Sequence, residues 1–493
     1  MTNTQKNNLL YLLAGLGLSS ILWVLFKTIY LNPYFVFDSY YYIYAALVNA
    51  DAGAWPIGYS KFLGLIGLFS HSANLLVSIQ YFFLQFCLLF FFLSLRYFFR
   101  LRKWASLSLF VLLLVNPIYI YTCNFVLSDA LFLGLSLVWL INLLWILFQP
   151  QPWLILTQAL LLLFLFSIRQ SALIYPVIAG IAFLLSRQKL WLKIAGIVLP
   201  CILVGGFIIY TTHVNKVNYG VKQFSPFQSW KVASNALYAY EHVPARKVQP
   251  VPASFKPLDS LVQRYFHSRH QPVGLLHQDP STGSYYMFMY PSPLLTYKDL
   301  QCGYDRHFLI NIKTLSKMGP LYDAYGSYLI KKYPWTYFRY FVLPATYTYM
   351  IPYSEVYNQG EALFVRQWDT LIQMKKKWFG NISSYEPVRY ENIRRSLFDY
   401  YPIINTLTHL IFILTFLGFL WLNGYKHLAS PYRKALGLIA VLWLANFFFM
   451  VIASASLLRY QLFITTVELA FATFFIDFIA GSENKSHPLY NSL

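Results

Sequence analysis

The chain has 493 residues, of which 58% are hydrophobic, 20% aromatic and only 11% charged. A soluble domain is typically about 45–50% apolar and about 25% charged, so this composition excludes a soluble enzyme and a disordered chain. Four cysteines are too few to hold 493 residues together as a disulfide scaffold. The formal net charge is +20, but with a mean hydropathy of +0.48 the positive-inside rule explains it better than nucleic-acid binding.

Ten stretches of the sequence approach the length of about 20 apolar residues that a helix needs to cross a bilayer. In chain order they are 9–30, 74–98, 105–123, 130–148, 153–168, 172–186, 191–210, 402–423, 436–454 and 462–480. The fifth and sixth stretches are the shortest. The sequence therefore predicts a mainly α-helical, polytopic transmembrane bundle of about ten spans.

The distribution of Lys and Arg in the short segments between spans predicts the orientation. With the N-terminus in the cytoplasm, twelve basic residues fall inside and four fall outside, which are Lys27, Lys61, Arg169 and Arg459. We expect a protein of the plasma (inner) membrane with both termini in the cytoplasm.

This orientation divides the chain into three parts. They are an N-terminal transmembrane module (1–210) with a first outer loop (31–73), a large extracytoplasmic α or α/β domain (211–401), and a C-terminal transmembrane module (402–493). Within the large domain, residues 321–353 mix aromatic and apolar residues with Lys, Arg and three prolines. This mixture is typical of a segment that lies in the membrane interface.

A small set of charged residues remains at the outer face outside the large domain. Asp38 begins a predicted amphipathic helix, and Asp129 opens the fourth span. Each aspartate suits a helix N-cap. The functional alternative is that Asp38 is a general base for an acceptor hydroxyl, and that Asp129 orients the acceptor or a divalent cation.

The outer cations Lys61, Arg169 and Arg459 are suited to hold a phosphate, because ammonium and guanidinium groups both bind phosphate oxygens and the planar guanidinium binds them in pairs. The alternative is that these long side chains only extend to the interface. Glu468 lies deep in the last span, where a charge is costly, so we expect it to pair with a polar neighbour. No metal site is predicted, because His267 and His270 lack a third ligand at suitable spacing.

The order of these motifs resembles the GT-C superfamily of polytopic glycosyltransferases, in particular the protein-mannosyltransferase and aminoarabinose-transferase branch. The resemblance covers residues 1–210 and, loosely, 455–475. It depends on Asp38 with Tyr41, Tyr42 and Ala45, on Pro56, Gly58 and Tyr59, on Asp129, on Arg169, and on Arg459 with Tyr460. The chain departs from the protein-mannosyltransferase pattern at Ser39, where that branch has a second acid.

The resemblance implies transfer of a sugar from a polyprenyl-phosphate carrier to a glycan, lipid or protein acceptor outside the membrane, with inversion at the anomeric carbon. It implies that Asp38 and Asp129 are catalytic. Lys61, Arg169, Arg459 and Tyr460 would bind the donor phosphate, and Tyr41 and Tyr59 would lie on the acceptor side. Membrane lipids are the expected surroundings, no nucleic acid is expected, and a divalent cation stays an open cofactor.

Three alternatives remain open from the sequence. An O-antigen polymerase or ligase would depend on the large domain, where Arg264, His267, Arg269 and His270 cluster. A transporter or lipid flippase would show repeated halves and polar groups at mid-membrane. A non-catalytic membrane scaffold would need neither.

Overall fold

The computed structural model describes residues 3–268, 285–305, 311–354, 369–382, 388–453, 456–482 and 487–489. Within these ranges the chain is helical and has no β-strand. It has two isolated parallel bridges, Tyr34 with Phe125 and Tyr353 with Leu457. The predicted mainly α class is therefore confirmed for the described residues. Of the two possibilities for the large domain, its described part is α rather than α/β.

The helices of the first half alternate long apolar rods with short segments. They are α1 (Asn3–Ile29), α2 (Phe37–Leu47), α3 (Gly58–Gly67), α4 (Ala73–Phe99), α5 (Lys103–Leu114), α6 (Pro117–Asn124), α7 (Asp129–Phe148), α8 (Trp153–Ile168), α9 (Tyr175–Leu185) and α10 (Leu190–Tyr219).

The second half has shorter helices first and three long ones at its end. They are α11 (Pro226–Tyr240), α12 (Lys256–Ser268), α13 (Tyr285–Phe288), α14 (Pro293–Cys302), α15 (Ile312–Lys332), α16 (Pro334–Tyr337), α17 (Leu343–Met350), α18 (Asp369–Phe379), α19 (Val388–Trp421), α20 (Ser430–Ala453) and α21 (Leu458–Ser482).

Eight helices in the described part of the chain are long and apolar enough to cross a membrane. They are Gln5–Ile29, Ala73–Phe99, Lys103–Asn124, Asp129–Phe148, Leu190–Tyr219, Asn392–Trp421, Ser430–Ala453 and Leu458–Gly481, where Lys103–Asn124 comprises α5 and α6. They coincide with eight of the ten predicted stretches. The other two stretches, predicted as the shortest, are the shorter apolar helices Trp153–Ile168 and Gln170–Leu185, so the number of spans stays a prediction.

The fifth and sixth predicted spans are short for a local reason. The helix α8 has 16 residues, or about 24 Å at 1.5 Å per residue, and it ends where Arg169 takes an extended conformation with φ −147° and ψ 134°. A 3₁₀ turn over Gln170–Ile174 follows, and α9 then begins at Tyr175 and has only 11 residues. Arg169 therefore lies between two helices, at the boundary predicted between the stretches 153–168 and 172–186.

The packing puts α7 and α21 in the middle of the bundle. Both are mostly enclosed by other helices, whereas α1, α10 and α19 have largely exposed faces. The helix α4 packs on α7, α8 packs on α10, and α19 packs along α21. The two helices that carry Asp129 and Arg459 are thus among the most enclosed.

The segment 321–353 folds as the end of α15, the short α16, one π-helical turn over Phe338–Val342, and α17. The helix α15 packs along α11, and at Gly326 the backbone of Ala233 lies so near that a Cβ atom would come within 2.7 Å of it. The helix α17 packs on α20. This segment therefore connects the packed helices of the large domain to the apolar bundle, and its location in a membrane interface stays a prediction.

Candidate functional site

Asp38 lies in the first turn of α2, which begins beside the start of α7. The backbone N–H of Tyr34 donates to the carbonyl of Asn124 (2.9 Å), and the N–H of Val126 donates back to Tyr34 (3.0 Å). At the start of α2, the N–H of Val36 donates to Oγ of Ser39 (3.0 Å), and Asp38 makes no capping hydrogen bond. The carboxylate of Asp38 instead lies with its Oδ2 2.8 Å from Nη2 of Arg459.

Asp129 is the first residue of α7 and is almost completely buried, with a side chain only 2% exposed. Its Oδ1 accepts a hydrogen bond from Nη2 of Arg169 at 2.6 Å, and its Oδ2 lies 3.9 Å from Nη1 of Arg459. The cap position before α7 belongs to Ser128. Neither aspartate occupies the N-cap position of its helix, which belongs to Val36 for α2 and to Ser128 for α7. Both carboxylates instead face guanidinium groups.

Arg169 reaches Asp129 from the end of α8. Its Nε donates to Oγ of Ser128 (3.3 Å), and its guanidinium lies 4.9 Å from the ring centre of Tyr460 and 5.3 Å from that of Phe132. These aromatic faces stabilise a cation through their quadrupoles and leave little room for the side chain to rotate.

The start of α3 keeps the end of α8 in place. At Gly58 the backbone carbonyl of Ser167 lies so near that a Cβ atom would come within 2.7 Å of it. The contact between Gly58 of the Pro-x-Gly-Tyr motif and Ser167 therefore has room only for glycine. Ser167 precedes Arg169 by two residues.

Arg459 is in the first turn of α21. The residue before α21 forms a parallel bridge with Tyr353, and the N–H of Leu458 donates to the carbonyl of Tyr353 (3.0 Å). The Arg459 guanidinium lies 4.7 Å from the ring centre of Tyr460, which also faces Arg169. The ring of Tyr460 thus lies within cation–π distance of both guanidinium groups.

The charges of this site alternate along a chain of contacts: Asp38, Arg459, Asp129 and Arg169. We call these four residues the charge cluster. Two carboxylates balance two guanidiniums, so the cluster is formally neutral. Their exposures differ in a useful way, because the Asp38 side chain is 16% exposed whereas that of Asp129 is 2% exposed. Asp38 is therefore the carboxylate better placed to meet a molecule from solvent.

Tyr42 adds a neutral hydroxyl to the charge cluster. Its side chain is on the same face of α2 as Asp38, one helical turn further on, and its OH lies 3.2 Å from Oγ of Ser128. Burial, followed by the charge of Asp38, raises the pKa of Tyr42 well above its usual value. Tyr42 belongs to the motif on which the resemblance depends, but neither Tyr42 nor Ser128 is among the predicted site residues. The i, i+4 spacing from Asp38 identifies Tyr42, and adjacency to Asp129 identifies Ser128.

The structure does not bring Lys61 into the charge cluster. Its ammonium contacts Asp51 at 3.1 Å and Oδ1 of Asn49 at 2.8 Å, and its side chain is 42% exposed. Lys61 pairs with a neighbour in its own loop and not with a cluster residue, so its contact with a donor phosphate stays a prediction.

Tyr41 and Tyr59 are packing residues in this conformation. Tyr41 is 1% exposed and its ring lies 4.5 Å from that of Trp55. Tyr59 is fully buried, and its OH donates to Oε1 of Gln80 at 2.6 Å. Their predicted acceptor-side role is not supported by these positions, because neither phenol is open to an incoming molecule.

Each of the two cluster carboxylates faces a guanidinium group in this conformation, and a divalent cation as cofactor stays a prediction. In the part of the chain that the structure describes, no group of three or more His, Cys, Asp or Glu residues is arranged to hold a metal ion. His267 is exposed near the end of α12, and His270 and Arg269 lie outside the described residues.

The charge cluster and Tyr460 arise from four separated parts of the chain that meet at one end of the helical bundle. Comparison with known proteins adds no family to this geometry, since no family model, no curated protein and no solved structure matches the chain.

Proposed function

We propose that the chain is a membrane glycosyltransferase of the GT-C type, which transfers a sugar from a polyprenyl-phosphate carrier to an acceptor outside the membrane. The observation that carries this proposal is the charge cluster, in which an accessible carboxylate lies 2.8 Å from a guanidinium. A base for a hydroxyl and a cation for a phosphate are the two groups that this transfer needs.

The orientation in the membrane is part of the proposal. Eight apolar helices support a membrane protein. The excess of Lys and Arg in the other short segments supports an orientation with the Asp38 end outside and both termini in the cytoplasm. The plasma membrane is the location we propose. The large domain, 211–401, then lies outside and next to the site, where it would select a glycan, lipid or protein acceptor.

The proposed transfer step gives the cluster residues the roles that the resemblance implies. Asp38 accepts the proton of the acceptor hydroxyl, and the hydroxyl oxygen forms a bond to the anomeric carbon. The bond between that carbon and the phosphate oxygen breaks on the opposite face, so the configuration inverts. The electron pair leaves with the polyprenyl phosphate, whose charge Arg459 and Arg169 stabilise. A phosphate leaves without being protonated, so this step needs one base and no general acid.

The ion pair between Asp38 and Arg459 describes the site before the donor binds. A donor phosphate competes for Arg459 and has two acceptor oxygens for its planar group. Binding of the donor would therefore release the Asp38 carboxylate from its partner. The base becomes available only when the leaving group is in place. Fewer donor molecules are then lost in side reactions.

Asp129 has a different role in this proposal from the one expected from the sequence. It is buried and contacts Arg169 at 2.6 Å, with Arg459 at 3.9 Å. We infer that it holds both guanidiniums at the spacing that a phosphate needs. It is a positioning residue rather than a second base. Its predicted role in orienting the acceptor stays a prediction.

The proposal is tested with purified protein in lipid nanodiscs and a panel of undecaprenyl- and dolichyl-phosphate sugars, by measuring donor loss and released polyprenyl phosphate. We expect at least one donor to be consumed, and Arg459→Gln to lose most of that activity. Asp51→Asn, which removes a charge of the first outer loop that lies outside the charge cluster, should keep it. If the protein consumes only a diphosphate-linked glycan, and this consumption depends on Arg264 or His267, the polymerase or ligase alternative replaces this proposal.

A further inference from the structure

A second polar group lies inside the apolar bundle, away from the charge cluster. It consists of Asn405 and His409 on α19 with Gln461 and Glu468 on α21, and we call it the buried polar network. All four side chains are at most 5% exposed. Glu468 follows Arg459 by nine residues, which is about 14 Å along a helix axis, and so lies near the middle of the proposed membrane.

Polar contacts connect Glu468 to Gln461 without a break, through His409 and Asn405. Nδ1 of His409 lies 2.7 Å from Oε2 and 2.9 Å from Oε1 of Glu468, and Trp443 on α20 donates its indole N–H to the same carboxylate. On the other side of the imidazole, Nε2 lies 2.8 Å from Nδ2 of Asn405. Asn405 also donates to Oε1 of Gln461 at 2.9 Å. The expected polar partner of Glu468 is therefore present, and it is His409.

Oε1 of Gln461 is shared within this network. It accepts from the Asn405 amide and also lies 3.2 Å from Nε2 of His409. The Glu468 carboxylate is shared in the same way by His409 and Trp443. The four side chains therefore partner one another, which is what a low-dielectric interior requires.

The network also holds the end of α17, which lies beside the start of α21. Nε2 of Gln461 donates to the carbonyl of Tyr349 at 3.0 Å, and the Tyr349 ring stacks on the imidazole of His409 at 5.1 Å between centres. Thr406 on α19 donates to the carbonyl of Met350 at 2.7 Å. The end of α17 is therefore bound to α19 and α21 at the level of Gln461, which is two residues after Arg459.

We propose that His409 and Glu468 are positioning residues, whose hydrogen-bond chain through Asn405 and Gln461 sets the place of Arg459 relative to Asp38. This inference depends on the proposed function for its catalytic consequence. A carboxylate in the middle of a span is costly and is typical of a functional group. The polar chain from Glu468 ends at Gln461, in the same first two turns of α21 that carry Arg459 and Tyr460.

The test compares Glu468→Gln with Asp477→Asn, which removes another buried carboxylate of α21. Asp477 binds Arg102 (2.6 Å) near the opposite end of that helix, so it is a matched control for loss of a buried charge. The first readout is hydrogen exchange of the amides of 343–353 and 457–461 in nanodiscs. The second is donor turnover, with kcat and the donor KM measured separately.

We expect Glu468→Gln to speed exchange in both segments, and to lower kcat by about 10- to 100-fold with a donor KM within about twofold, because a displaced cation costs most in the transition state. Asp477→Asn should leave exchange in these segments unchanged even if its melting temperature falls. His409→Asn keeps a donor toward Glu468 but loses the link to Asn405, so it should give the same exchange with a smaller effect on folding.

Unchanged exchange in 343–353 and 457–461 and unchanged kcat in both network variants would overturn the inference. A lower melting temperature with normal kcat and normal exchange would also overturn it, since the network would then be only structural. If the wild-type chain transfers no sugar, the proposed function fails by that result, and the exchange experiment alone decides whether the network positions the start of α21.

Discussion

Arg459 and Asp38 face each other at 2.8 Å and so connect the first turn of α21 with the first turn of α2. Both side chains are partly open, at 10% and 16% exposure, whereas the Asp129 carboxylate behind them is buried. This order gives the cluster a buried side that holds the guanidiniums and an accessible side that can meet substrates. The proposed roles of the two aspartates follow from that difference.

Replacing Asp129 should be more damaging to the fold than replacing Asp38. Asp129→Asn leaves the Arg169 guanidinium partly buried without its 2.6 Å carboxylate, and such a loss typically costs about 3–5 kcal/mol. We expect a clear fall in the melting temperature in nanodiscs. The double variant Asp129→Asn with Arg169→Gln should recover part of the loss, and a stability of Asp129→Asn equal to wild type would contradict the role given to this residue.

Gly58 should tolerate no side chain. Gly58→Ala places a Cβ within 2.7 Å of the Ser167 backbone, so α3 and the end of α8 must separate. Overpacking of this kind typically costs about 1–3 kcal/mol. The variant should lose both stability and donor turnover, because Arg169 follows Ser167 closely. Gly64→Ala is the matched control on α3, since nothing lies within 4 Å of its Cβ position.

Lys61 should be dispensable for turnover. Its ammonium pairs with the exposed Asp51, and exposed pairs of this kind typically contribute about 0–1 kcal/mol. We expect Lys61→Ala to keep donor turnover within about threefold of wild type, as loss of a remote surface charge does. A fall of the size caused by Arg459→Gln would show instead that Lys61 moves to the donor phosphate, as the sequence analysis predicted.

Lys231 on α11 should make stability depend on pH in the alkaline range. Its side chain is 8% exposed, and burial lowers the pKa of its ammonium from 10.5 to about 8. Between about pH 8 and 10.5 the unfolded chain binds more protons at this residue than the folded chain, so its contribution to stability rises with pH. The total is at most about 3 kcal/mol, at 1.36 kcal/mol for each pKa unit.

The measurement for Lys231 is the melting temperature of wild type and Lys231→Met from pH 7 to pH 10.5. The Met variant should be the more stable at pH 7, and its advantage should shrink as the pH rises from 8 to 10.5. An advantage that is constant over this range would mean that the Lys231 ammonium is solvated in the folded protein.

Much of the fold was predictable because apolar length is a direct signal. Eight of the ten predicted stretches are helices of spanning length. The other two were predicted as the shortest stretches, and they form the shorter apolar helices Trp153–Ile168 and Gln170–Leu185 on either side of Arg169. The helix predicted after Asp38 is confirmed as Phe37–Leu47, since its aromatic residues recur at helical spacing.

The candidate site was predictable as a set of charges but not as a set of contacts. Few charges occur at that end of the bundle, so Asp38, Asp129, Arg169 and Arg459 stood out by exclusion. Their pairing could not be derived, since it depends on how α2, α7, α8 and α21 meet. In the sequence Lys61 looked equivalent to the two arginines. Its pairing with Asp51 occurs within a loop, where no helical or strand spacing reveals which residues meet.

The central claim is that Asp38 removes the proton of the acceptor hydroxyl beside a phosphate held by Arg459. The most direct test is single-turnover donor consumption by wild type and Asp38→Asn in nanodiscs, with donor binding measured on the same samples. The claim predicts that the variant binds the donor and consumes it about 10²- to 10⁴-fold more slowly, as expected for loss of a general base. Equal turnover by Asp38→Asn and wild type would contradict it.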